Sequence, residues 1–378
     1  MIIIFNFTEN FVMEDLKDIV SKFEIAEKVT DVKPMGEGLI NDTYKVFVEH
    51  CDKPRYVLQR INNAIFQDVD MLMDNINKVT EHIRKKGKET LRFYNTKRGN
   101  LYYMEEISPL PTVGRNDVWG DGGKYWRLME FVPDSITYQA VTPEYSYIAG
   151  KSFGEFESLL SDLNEPLGEI IPDFHNIEFR LKQLRDAVAD DRVGRVKEVQ
   201  YYLDEIFKRE EKMTLGERLY REGKLPKRIC HCDTKVNNML FDKEGNVLCI
   251  IDLDTVMPSF VFSDYGDFLR TAANTSFEDD PNLDNIDFNM EIYNAFTKGY
   301  LEGTKGLLLP IEKENLPYAA LLFPYMQTVR FLADYINGDT YYKIKYPEHN
   351  LVRTKAQWRL FERAEAKESE MMEFLDKR

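Results

Sequence analysis

The pattern of apolar and polar positions changes character near Pro133. Before it, apolar spacing predicts one early helix over Glu14 to Phe23, several short strands, and a longer helix from about Asp68 to Lys85. Beyond it, helical spacing dominates, over Tyr145 to Leu163, Arg180 to Ala189, Val193 to Arg209, Met213 to Gly223, Ile286 to Leu301, Pro317 to Asn337, and His349 to the end. One clear strand region interrupts this second part, around Asp252. The pattern therefore predicts an α+β protein, with a small mixed lobe over residues 1–130 and a larger, mainly helical lobe over 131–378. Short connections imply that the two stay together.

Three strand segments in the first lobe carry candidate chemistry. Gly36-Glu37-Gly38-Leu39-Ile40-Asn41-Asp42-Thr43-Tyr44-Lys45-Val46 reads as a glycine turn between strands. Glycine permits the positive φ and close approach that backbone amides need to lie over phosphates. Arg55-Tyr56-Val57-Leu58-Gln59-Arg60-Ile61 reads as a strand presenting Gln59 to one face and Arg60 to the other, so only one of the two can enter a cleft. Trp126-Arg127-Leu128-Met129-Glu130-Phe131-Val132-Pro133 reads as a strand running into a hinge, with Met129 and Phe131 able to flank a purine ring.

The most specific signal is His231-Cys232-Asp233-Thr234-Lys235-Val236-Asn237-Asn238, followed by the turn Phe241 to Asn246, the apolar run Val247 to Ile251, and Asp252. An Asp, an Asn five residues later and a second Asp at a strand end is the spacing of a kinase catalytic loop with its metal-binding residue. Phosphoryl transfer needs a carboxylate beside the acceptor hydroxyl, the role this spacing gives Asp233. It also needs hard oxygen ligands for magnesium on the ATP phosphates, a role that suits Asn238 and Asp252. The expected cofactors are accordingly ATP and Mg²⁺.

Other features change this picture little. With 378 residues and 43% hydrophobic content, the chain can bury a large core. Fifty Lys and Arg against 65 Asp and Glu give a formal charge of −15, which argues against a nucleic-acid partner. No apolar run approaches membrane-spanning length, and Met1 to Phe5 lacks the basic flank of a signal peptide, so a cytoplasmic enzyme without a membrane partner is expected, as a monomer. Gly150-Lys151-Ser152 ends like a P-loop, yet position 145 is Tyr145 and the segment has helical spacing. Cys230 and Cys232 have no partner Cys-x-x-Cys pair and read as reduced buried thiols. His175 and His349 are placed outside the site, as capping or solvated histidines.

The His-x-Asp-x-x-x-x-Asn loop, Ile251-Asp252-Leu253-Asp254 and Asp264-Tyr265-Gly266-Asp267 together resemble the aminoglycoside phosphotransferase and choline kinase superfamily. Within it the chain is most similar to the N-acetylhexosamine 1-kinases, on the glycine turn, on the loop through Asn238, on Ile251 to Pro258, and on Arg330-Phe331-Leu332-Ala333-Asp334-Tyr335 with Lys345 to Thr354. The resemblance implies a protein-kinase-like bilobal fold, with an antiparallel sheet in the nucleotide-binding lobe. It also implies ATP- and magnesium-dependent phosphorylation of the anomeric hydroxyl of N-acetylglucosamine or N-acetylgalactosamine. Carried over by position, it makes Asp233 the base, Asn238 and Asp252 metal ligands, and Arg330 and Tyr341 sugar contacts, with Asp254 and Thr255 nearby. The cofactor contacts expected beside these are Gly36, Gly38, Asn41, Arg60, Met129 and Phe131. Leu39 stands where a polar residue is expected in the glycine turn, and the strand offers no Lys for the nucleotide. Alternatives are a kinase of the same superfamily acting on choline, an aminoglycoside or another sugar, and a nucleotide-binding pseudokinase.

Overall fold

The computed structural model describes residues 15–35, 40–105, 123–138 and 141–377. The chain forms two compact units. The first comprises the segment up to Ile136 with Leu163–Ile171 and Leu240–Asp254, and the second Thr137–Asp162, Pro172–Met239 and Thr255–Arg378. The kinase-like division into a sheet-bearing unit and a helical unit is present.

In the first unit, α1 is helical over residues 15–20. Strands β1 (Val29–Pro34), β2 (Asp42–Val48), β3 (Tyr56–Ile61), β4 (Phe93–Tyr94), β5 (Tyr103–Glu105) and β6 (Lys124–Glu130) form one antiparallel sheet, ordered β1-β2-β3-β6-β4 with β5 also on β6. Its Val, Tyr and Trp content suits a pleated, half-buried surface. Val46, Leu58, Trp126 and Leu128 pack with Leu16, Val20 and Phe23 into one core. Helix α2 (Val69–Lys85) follows β3 and buries Leu72, Met73, Ile76, Val79 and Ile83 along one stripe. It begins where expected, because Asp68 accepts the Met71 amide at 2.8 Å and caps the first turn.

The second unit is built around α10 (Leu316–Ile336), almost every residue of which is buried. Against it pack α4 (Ile177–Asp190), α7 (Val261–Ala272) and α11 (His349–Glu365). A helix that is apolar all round belongs in such a position. Helices α5 (Gln200–Met213), α6 (Leu215–Arg221), α9 (Pro310–Glu314) and α12 (Glu368–Asp376) complete the shell. Helix α3 (Pro143–Leu160) is capped by Thr142 and packs on α8 (Met290–Gly303) through a seam of glycines. A Cβ on Gly299 would lie 2.0 Å from the Tyr147 carbonyl oxygen, and one on Gly150 would lie 2.2 Å from that of Phe296. Gly150-Lys151-Ser152 is thus a helix surface, and Lys151 pairs with Glu302 at 2.7 Å.

Three expectations need correction, the first being that His349 to the end is not one helix but α11 and α12. The segment Val193 to Arg209 is not one helix: a 3-10 turn over Val196–Val199 precedes α5. The strand region around Asp252 is not single, since β7 (Arg228–Cys230) pairs with β10 (Met257–Ser259), and β8 (Met239–Phe241) with β9 (Val247–Ile250). Strands of three or four residues are too short to show a period. Among the described residues, no helix is long and apolar enough to cross a membrane.

Candidate active site

The loop after β7 is held from behind by α7. Both oxygens of Asp264, in the first turn of that helix, accept backbone amides: His231 at 2.8 Å and Cys232 at 2.7 Å. The Thr234 hydroxyl donates to the Asp264 carbonyl at 2.7 Å, and the Thr255 hydroxyl to the His231 carbonyl at 2.8 Å. Cys232 is thereby kept at φ 62, a conformation that non-glycine residues seldom adopt and that concentrates at functional sites. His231 is buried against the edges of Phe153 and Phe156.

The consequence is a fixed carboxylate. Asn238, at the end of a 3-10 turn over Val236–Asn238, donates through Nδ2 to the Asp233 carbonyl at 2.8 Å and to Asp233 Oδ2 at 3.2 Å. With Nδ2 so engaged, Oδ1 is the atom Asn238 can offer a metal. Lys235 Nζ lies 2.6 Å from Asp233 Oδ1. Burial works against the Lys235 ammonium, but Asp233 and Asp267 raise its pKa above the ordinary lysine value. A cation is therefore kept beside Asp233. Lys235 was passed over in the sequence, although its place two residues after the Asp within a polar loop was a visible signal.

Asp233 opens on a cavity of about 140 Å³ lined also by His175, Arg270, Gln327, Arg330 and Tyr342. Arg330 and Tyr342 also line a larger neighbouring cavity of about 450 Å³, with Arg180, Asp334 and Tyr341. The second unit thus brings Asp233 and Arg330 to one cavity. Tyr341 lies only in the larger one and is 73% exposed, whereas Tyr342 reaches both. Asp334 accepts the amides of Thr340, Tyr341 and Tyr342 at 2.9, 2.8 and 3.0 Å, which fixes that turn. His175, set outside the site on sequence grounds, lines the cavity of Asp233. Burial drives its pKa well below the usual histidine value, and Arg330, Arg180 and Arg270 push it the same way, so its ring is neutral.

Inside the first unit, a second polar cluster forms around Asp254. Arg127 on β6 binds it in two places, Nη1 to Oδ1 at 2.6 Å and Nη2 to Oδ2 at 2.9 Å. Asn41 Nδ2 donates to Oδ2 at 2.7 Å, and Asn41 Oδ1 accepts the Asn62 amide at 2.9 Å. Gln59 accepts from Arg127 Nε at 3.0 Å and donates to Thr43 at 3.0 Å. Asp254, Thr255 and Asn41 each have polar side-chain atoms engaged with the protein. Gln59 and Arg60 do point apart as alternation requires, and Arg60 lies 3.8 Å from Asp42 on the paired strand. Met129 is buried opposite Val57 and Phe93, and the Phe131 amide donates to the Arg55 carbonyl at 3.0 Å. Asp252 follows β9 at φ 59. Gly36 and Gly38 lie outside the described residues.

Among the described residues, one group has metal-like spacing: Glu157, Cys230 and Asp264, all buried. Burial, and then the neighbouring Asp264, drive Glu157 well above the carboxylate range, and burial likewise raises Asp264 and the Cys230 thiol. Glu157 accepts the Tyr300 hydroxyl at 2.7 Å and both Asp264 oxygens accept loop amides, so this cluster serves as support for the loop.

The profile of a family described as APH, phosphotransferase enzyme family, matches residues 31–301, a span that runs from within β1 to within α8 and contains the whole Asp233 loop. The chain belongs to that family. Membership makes it a phosphotransferase. Solved structures share its fold. A microcompartment-associated aminopropanol kinase is 12% identical with a TM-score of 0.60, covering 95% of this chain and 98% of that one. A spectinomycin phosphotransferase, solved with ADP and spectinomycin, is 13% identical with a TM-score of 0.56, covering 94% and 98%. A choline kinase from Cryptosporidium parvum is 16% identical with a TM-score of 0.55, covering 96% and 98%.

Proposed function

We propose that this phosphotransferase transfers the γ-phosphoryl group of ATP to the anomeric hydroxyl of N-acetylhexosamines, giving the sugar 1-phosphate and ADP. The observation that carries the reading is the Asp233 carboxylate, fixed by Asn238 and opening on a cavity it shares with Arg330. In the step, the acceptor oxygen attacks the γ-phosphorus. The bond from that phosphorus to the bridging oxygen breaks, ADP leaves, and the hydroxyl proton passes to Asp233. An anomeric hydroxyl is more acidic than an ordinary alcohol, so a carboxylate suffices as base.

The donor set suits magnesium, which prefers hard oxygens and takes few from protein. Asn238 and Asp252 would hold it, and when bound it would neutralise charge on the phosphates. Lys235 supplies a positive charge at Asp233 from within the loop. Met129, Phe131 and the Gly36–Gly38 turn are assigned to the nucleotide; Arg330 and Tyr341 are assigned to the sugar. A guanidinium fork can bind ring hydroxyls, and a tyrosine offers a hydroxyl and a flat apolar face.

The test is the product. Phosphorus NMR of the product from N-acetylglucosamine or N-acetylgalactosamine is expected to show a phosphate coupled to the C1 proton. Formation of the 6-phosphate, or turnover of choline or an aminoglycoside with neither sugar used, refutes the assignment. Asp233→Asn is expected to lower turnover by about 10²- to 10⁴-fold. Turnover near the wild-type rate removes Asp233 from the role.

A further inference from the structure

Among the described residues, two guanidinium groups on the walls of the two cavities have no carboxylate paired with them. In the smaller cavity the charges are matched: Asp233 pairs with Lys235 at 2.6 Å, and Arg270 pairs with Asp267 at 3.1 Å and Glu278 at 2.7 Å. Two guanidinium groups on the wall of the larger cavity are left over. Among the described residues, neither Arg180 nor Arg330 has an ion-pair partner. Arg330 Nη1 donates only to Gln327 at 3.2 Å, and its guanidinium lies 5.7 Å from each of the Phe174 and Tyr342 rings. Arg180 donates to the Phe174 carbonyl at 2.8 Å and to Gln183 at 2.9 Å, while its Nε is buried without an acceptor.

The acids nearby are already engaged. Asp334 is spent on backbone amides and on Asn350 at 2.8 Å, Asp186 on Lys182 at 2.6 Å, Asp190 on Arg192 at 3.3 Å, and Asp173 on Asn176 at 2.7 Å. Burial and the neighbouring Arg330 pull the Arg180 pKa down to about 10, the direction expected of a cation whose partner is missing. Half-buried guanidinium groups without carboxylates favour an oxyanion, to which the fork donates charge-assisted bonds.

We propose that the acceptor carries an oxyanion, a carboxylate or a phosphate, held by Arg180 and Arg330 while its reacting hydroxyl lies at Asp233. The two cavities share Arg330 and Tyr342 as lining residues, so Arg330 borders both the Asp233 cavity and the Arg180 cavity. The proposal rests on Asp233 being the base, and it adds to the hexose reading that an acidic hexose is used in preference to its neutral counterpart. An uncharged acetamido oxygen can accept from one guanidinium, but it neutralises neither.

The test measures kcat/KM for neutral and acidic partners: N-acetylglucosamine against its 6-phosphate, and glucose against glucuronic acid. The acidic member of at least one pair is expected to be preferred by about tenfold or more, the advantage of charged over neutral hydrogen bonding. Which pair shows it tells phosphate from carboxylate. Arg180→Gln is expected to shrink that preference and Arg180→Lys to restore part of it, with the change in KM rather than kcat. If neutral sugars are used as well as or better than both acidic partners, the anion proposal is overturned while the hexose reading stands. If no hexose is used and choline or an aminoglycoside is, the hexose reading fails and the anion proposal fails with it. The wild-type comparison decides even where a variant does not fold.

Discussion

Asp254→Ala is expected to destabilise the sheet-bearing unit by about 3–5 kcal/mol, the cost of stranding one partner of a buried ion pair. Arg127 and Asp254 are each about 3% exposed at the side chain. The substitution removes both bonds to Arg127, at 2.6 and 2.9 Å, and the 2.7 Å bond from Asn41. The guanidinium is left with Gln59 as its hydrogen-bond acceptor at 2.8 and 3.0 Å, which provides no countercharge. Because Gln59 sits on β3 directly opposite Arg127 on β6, the disturbance falls at the centre of the sheet. Removing both charges at once, as in Arg127→Met with Asp254→Leu, is expected to recover most of the loss, since an apolar pair of similar volume leaves no uncompensated charge. Urea unfolding followed by circular dichroism gives the magnitudes, and amide exchange at β3 and β6 gives the location. A loss below about 1 kcal/mol for Asp254→Ala, typical of an exposed pair, would refute the closed, water-excluded cluster.

Burial pushes the Glu217 pKa up to about 7, while Oε1 accepts the Ile177 amide at 3.0 Å. Its folded pKa exceeds its unfolded one, so its contribution is full below the unfolded value and is lost as pH rises toward 7, by roughly 3 kcal/mol in all. Glu217→Gln should flatten that part of the stability profile in urea titrations between pH 4 and 8; an unchanged slope refutes the assignment. Gly299→Ala places a methyl 2.0 Å from the Tyr147 carbonyl oxygen, backbone against backbone. It is expected to cost about 3 kcal/mol or more, and an unchanged melting temperature would count against the tight α3–α8 seam.

What was legible in the sequence was what depends on period and local chemistry. The apolar spacing of Pro317 to Asn337 locates α10 within one residue at each end, and Asp68 marks the start of α2. What was not legible depends on contacts distant in the chain. The break between α11 and α12 falls where Lys367 reaches Asp287 at 2.8 Å, 80 residues away in sequence. Nothing local to Asp254 reveals its partner Arg127, 127 residues earlier. One hint existed, a lone arginine inside the apolar strand Trp126-Arg127-Leu128-Met129, which can be buried only with a partner. His175 was set aside for the same reason, since its neighbours Arg330, Phe323 and Asp233 come from other segments.

The grip of Asp264 on the His231 and Cys232 amides has a consequence for how this loop can diversify. The left-handed turn before Asp233 is held chiefly by a carboxylate on α7, with Thr234 adding its own hydroxyl, so the side chains of Cys232 and Lys235 are released from shaping the backbone. Those two places can vary and adjust the local charge, as Lys235 does, while the turn that places Asp233 stays fixed. Aim and reactivity are written at separate addresses, and a chain so arranged can change the second without forfeiting the first.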